Sequence, residues 1–184
     1  MNKTIAGIGL AGTLFWTVGI IAQFADESLY RTGDILIWIG FTGIAAFIVG
    51  LLRSGAAGRG VFAKIALGVW ALGHLCIAIG GVVQDATGDA DNPFYPIGGL
   101  GQIVGGFASA IVIARAGVLT GWRRWAPLAW AITYLGMFAA LVSASDNPPT
   151  PLIVPFLVWL AAIAATCVGF ATAPSARDRV TAVA

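Results

Sequence analysis

Six runs of predominantly apolar residues, each close to the length of a membrane crossing, follow one another along this 184-residue chain and leave little else. A helix rising about 1.5 Å per residue needs roughly 20 apolar residues to cross a hydrocarbon core roughly 30 Å thick. The runs fall at about 4–24, 35–52, 62–83, 96–114, 125–143 and 151–170. Between them stand stretches rich in helix-stopping residues, such as 53–59 with its glycines, 89–93 ending at Pro93, and 146–150 with Pro148 and Pro149. In a bilayer every backbone polar group must be paired internally, so a crossing chain forms helices or a closed barrel. The runs lack the period-two alternation of barrel strands. The pattern therefore predicts an all-α, polytopic bundle of six transmembrane helices, folded as one domain over residues 1–184.

Composition agrees: 59% of residues are hydrophobic and 10% charged, where soluble domains carry roughly 45–50% and about 25%. The net charge of +2 does not indicate a nucleic-acid partner, because the basic residues sit at the ends of runs and form no stripe. The first run follows Lys3 as a signal peptide would, but Gln23 and Ala25 before Asp26 do not make a cleavage site, so it reads as a retained helix. Cys76 and Cys167 lie inside apolar runs at different depths and are expected to be free thiols.

Cation placement sets the expected orientation, since Lys and Arg are retained on the cytoplasmic side. With an inner N-terminus, nine of the ten basic residues fall inside, from Lys3 through Arg53, Arg115 and Arg124 to Arg179, and only Arg31 falls outside. Seven of the eight acids, among them Asp26, Asp34, Asp85 and Asp146, fall in the outer loops. Both termini are therefore expected in the cytoplasm. The join at 115–127, where Trp122 and Trp125 flank Arg123 and Arg124, reads as a headgroup-level anchor on the inner face. It resembles connections in small multipass membrane proteins of GC-rich bacteria, which implies a bacterial inner or plasma membrane.

Arg53, Arg115 and Arg177 end the even-numbered runs at intervals of 62 residues, and Asp26, Asp85 and Asp146 follow the odd ones at intervals of 59 and 61. This spacing raises the expectation of three tandem helical hairpins related by pseudo-threefold symmetry.

No Asp, Glu, Lys or Arg falls near the centre of a run, which speaks against a proton-coupled pump, a voltage sensor or a charge-selective filter. The central ionisable group is His74, one turn from Trp70 on the same helix face. A neutral imidazole there can orient a ligand, or can hydrogen-bond a neighbouring helix. Tyr134, Thr133 and Thr17 lie at comparable depth, and Gln102 lies in the fourth run, so His74, Tyr134, Thr17, Gln102 and Trp70 are the candidate ligand-binding residues. Threonines of such helices also commonly bond their own backbone. One histidine makes no zinc or bis-histidine haem site, and no pattern specifies a metal or a cofactor. Gly98, Gly101, Gly105 and Ser109 form a small-residue face suited to close helix packing, against another helix of the chain or a second protomer.

Three functional readings follow. The first is binding, sensing or transport of a small apolar or amphipathic molecule within the bundle, whose partners are the bilayer and that ligand. The second is an accessory subunit of a larger membrane complex or a homo-oligomer, docked through the glycine face. The third is an embedded lipid or terpenoid enzyme using Asp26, Asp85 and Asp146; their loop positions give no reason to expect convergence, so a non-enzyme is the working expectation.

Overall fold

The computed structural model describes residues 2–143 and 153–173. It is an all-α bundle of six helices: α1 (Asn2–Ala25), α2 (Tyr30–Ser54), α3 (Val61–Thr87), α4 (Phe94–Ala116), α5 (Ala126–Ser143) and α6 (Ile153–Ala171), with short 3-10 turns at Glu27–Leu29 and Gly121–Arg124. Five helices are long and apolar enough to cross a membrane, while the apolar part of α5 is shorter. Large apolar side chains cover the outside, Leu14, Val61, Leu100 and Val154 each being more than 60% exposed. Water would penalise such a surface and hydrocarbon does not. The 146–150 turn and Arg177 lie outside the described residues.

Helices neighbouring in sequence pack side by side, and α6 returns to α1, closing a ring. The packing within the three hairpins is unequal: α1 against α2 and α3 against α4 are far more extensive than α5 against α6. Glycine permits the two close pairings. A Cβ on Gly12 would lie 2.8 Å from the Gly40 carbonyl oxygen, and one on Gly19 2.6 Å from that of Gly33. A Cβ on Gly101 would lie 2.9 Å from Gly73 Cα, and one on Gly105 would overlap the Trp70 backbone. In the third hairpin, Gly136 has open space where its side chain would be. The glycine face of α4 is thus pressed onto α3 of the same chain and offers no free surface to another.

Inside the ring, side chains from five helices interlock. The Trp16 ring lies 5.1 Å from that of Trp159 and 5.9 Å from Phe41, and Trp70 lies 4.2 Å from Trp130. Edge-to-face and offset contacts at these separations are the favoured geometry of aromatic pairs.

The helices outrun the sequence expectation at one end. The expected second run begins at 35 and the third stops at 83, whereas α2 starts at Tyr30 and α3 continues to Thr87. At 27 residues, α3 is roughly 40 Å long, about two turns more than the hydrocarbon core requires. Asp34 and Asp85, expected in loops, therefore stand on helices. The end of the bundle that carries them is called the acidic end below.

Candidate functional site

The residues expected around His74 occupy the middle of the ring but do not form a polar pocket. His74 is 0% exposed, and its Nδ1 lies 2.9 Å from the carbonyl oxygen of Trp70. A carbonyl only accepts, so the neutral ring carries its proton on Nδ1 and a lone pair on Nε2. Nε2 has no hydrogen-bond partner among the described residues, and the imidazole is walled by the rings of Phe41, Trp70 and Trp130. Tyr134 packs on Trp159 and Phe138 and shares no hydrogen bond with His74 among the described residues. Thr17 Oγ1 donates to the Thr13 carbonyl at 2.8 Å, and Thr133 Oγ1 donates to those of Ala129 and Trp130. Both hydroxyls are spent on their own helices. Gln102 and Ser109 are buried on α4 with unpaired side-chain polar atoms. Cys76 and Cys167 are free, and the described residues contain no group of three His, Cys, Asp or Glu side chains able to hold a metal ion.

A second arrangement, at the acidic end, draws on four helices. It begins with the turn between α1 and α2, where Asp26 Oδ1 accepts from the Ser28 backbone N–H at 2.8 Å. That bond caps the 3-10 turn and holds the Asp26 carboxyl below its ordinary range. The helix that follows carries Tyr30, Asp34 and Trp38 at intervals of four, on one face. On α3, Gln84 and Asp85 stand one turn beyond Gly81, and the indole of Trp38 occupies the space a side chain at Gly81 would fill. Gly88, with φ 75°, ends α3 in the left-handed conformation that glycine adopts without strain. Buried Asn92 then ties the following turn back to α3 through its Nδ2, which donates to the Gly80 carbonyl at 3.2 Å, and so sets Tyr95 at the start of α4 against α3.

These elements enclose a cavity of about 180 Å³ whose walls include Gln23, Asp34, Trp38, Gln84, Asp85 and Tyr95. Two hydrogen bonds fix the walls: Gln23 Nε2 donates to Asp34 Oδ1, and Tyr95 Oη donates to Gln84 Oε1, each at 2.6 Å. Arg31 reaches Asp85 only at 4.0 Å, with its side chain 86% exposed, a geometry that contributes little in water. A shallower recess of about 380 Å³, bordered by Arg31, Asp34 and Asp85, continues to the surface. Toward the middle of the bundle, a groove of about 660 Å³ runs between α2 and α3, lined by Ile35, Ile39, Ala46, Leu75, Ile79 and Val82 among others. Trp38 borders both the polar cavity and the apolar groove.

The sequence reading passed over Gln23, Asp34, Gln84 and Tyr95. A signal exists in the spacing of Tyr30, Asp34 and Trp38, which is helical, but six polar residues from Asp26 to Asp34 resemble a loop. Of the three acids considered for catalysis, Asp85 faces the cavity, Asp26 caps its own turn, and Asp146 lies outside the described residues. No family model matches the chain, and neither a curated protein nor a solved structure shows significant similarity to it.

Proposed function

We propose that this chain binds an amphipathic molecule in the crevice between α2 and α3, with the polar end in the acidic-end cavity and the apolar part in the groove facing lipid. The observation that carries this reading is that the two adjoin at Trp38, which borders carboxylates and amides in the cavity and isoleucine, valine and leucine in the groove. Ligand sites commonly pair a mostly apolar lining with a few placed polar groups. In this reading His74, Tyr134, Thr17, Trp70 and Gln102 pack the centre of the ring and hold its helices in register. In this reading both termini lie in the cytoplasm, the side on which Lys and Arg are retained, and the crevice opens to the outer leaflet of a bacterial membrane.

Substitution Ala46→Trp tests the assignment, because Ala46 is an exposed residue of the groove lining and an indole there fills the channel without entering the core. Native mass spectrometry of protein extracted from its own membrane is expected to show an amphiphile on the wild type and on His74→Phe but not on Ala46→Trp. Retention by Ala46→Trp, or loss from correctly folded His74→Phe, overturns the reading.

The subunit reading receives no comparable support, since the glycine face on which it relied is occupied by α3.

A further inference from the structure

We propose that the polar end of the bound molecule is an organic ammonium group, held by an aromatic and carboxylate cage at the acidic end; this rests on the crevice assignment above. The cavity wall carries three aromatic side chains, Tyr30, Trp38 and Tyr95, together with the carboxylates of Asp34 and Asp85. An aromatic face attracts a cation through its quadrupole, by about 0.5–1 kcal/mol when exposed and about 2 when desolvated. A carboxylate adds direct attraction, stronger at a partly buried site than in bulk water. The two together select a cation whose surface is partly hydrocarbon, as a substituted ammonium is.

The local charge favours the same class. Asp34 forms no ion pair among the described residues; the partner of its Oδ1 is the neutral amide of Gln23. Arg31, the only cation among the described residues bordering the cavity or its recess, extends into solvent. An anionic head would meet two carboxylates, and the described residues offer a divalent metal no group of three His, Cys, Asp or Glu side chains. The volume of about 180 Å³ equals the share of about six liquid waters, at roughly 30 Å³ each. That is room for a compact head, with the remainder of the molecule leaving past Trp38 into the groove. A membrane lipid head group and a free cationic amphiphile offer this chemistry alike.

Full-length protein in nanodiscs of phosphatidylglycerol provides the test, read by native mass spectrometry. One arm dopes the bilayer with phosphatidylcholine, phosphatidylethanolamine or diacylglycerol of identical acyl chains; a second adds tetradecyltrimethylammonium from solution. Wild type is expected to retain ammonium-bearing molecules about tenfold or more over diacylglycerol and phosphatidylglycerol. Retention in the first arm identifies a lipid as the source, and retention in the second alone identifies a free amphiphile. Asp34→Asn with Asp85→Asn is expected to abolish the preference, bringing retention of ammonium-bearing molecules down to that of diacylglycerol on the same variant. Should the double variant fold poorly, Asp85→Asn alone, at the rim, must lower the preference severalfold. Equal retention of ammonium and neutral molecules by wild type, or a preference that survives these variants, overturns the head-group assignment and leaves the crevice standing. Absence of every amphiphile from wild type, with Ala46→Trp indistinguishable from it, overturns the crevice reading itself.

Discussion

His74 shows how one neutral side chain can be held in a single tautomer by its own helix. Its Nδ1 proton is engaged by the carbonyl one turn back, so the ring neither rotates freely nor offers a donor to a ligand. What remains is a lone pair on Nε2 facing aromatic rings, a cost that a hydrocarbon ring of similar shape removes. His74→Phe is therefore expected to unfold within about 1 kcal/mol of wild type in the same micelle, whereas His74→Ala, which opens a void among the rings, should lose about 3 kcal/mol or more. Thermal unfolding monitored by near-ultraviolet circular dichroism measures both. A large loss in His74→Phe would reveal a hydrogen-bonding duty for Nε2. Asp26, by contrast, works at the surface, where its charge-assisted bond to the Ser28 N–H starts α2 in the register that points Asp34 and Trp38 into the cavity.

At the scale of helices, glycine decides which pairs approach backbone to backbone. Lipid is as apolar as leucine, so association in a membrane relies on close packing instead of on expulsion of water from apolar surface. Gly105→Ala would force α4 away from Trp70 and is expected to cost about 1–3 kcal/mol through overpacking. Gly136→Ala places its methyl in open space, and the better helix former should be neutral or stabilising by up to about 1 kcal/mol. Comparing the two by thermal unfolding separates packing from helix propensity, and equal effects would contradict the assigned contact. The extra turns of α2 and α3 belong to this scale as well. Because α3 is longer than a hydrocarbon core is thick, a membrane centred on its apolar residues would leave Gln84 and Asp85 at headgroup depth, where a polar cavity can be hydrated.

For the whole molecule, the ring of six helices has an apolar rim, an aromatic centre and oppositely charged ends. Basic Lys3, Arg53, Arg59 and Arg124 stand at one end and Asp34, Asp85, Asp89 and Asp91 at the other. Reporter fusions at the N-terminus and after Ala184 are expected to report the cytoplasm, and one placed in the 88–93 connection the opposite side; termini in different compartments would refute the assigned orientation. The sequence by itself determined the helical class, the approximate spans and the segregation of charge, because each depends on local composition and on the length needed to cross a bilayer. It also marked Gly98, Gly101 and Gly105 as a packing face, since small residues at helical spacing have that meaning before any partner is known. Only the tertiary structure decided that α3 is the partner, that the third hairpin packs more loosely, and that Gln23, Asp34, Asp85 and Tyr95 converge. Those four are 11, 51 and 10 residues apart in turn, so their meeting depends on which helices become neighbours and on how far two of them extend beyond the lipid, and neither is written in any local pattern of residues.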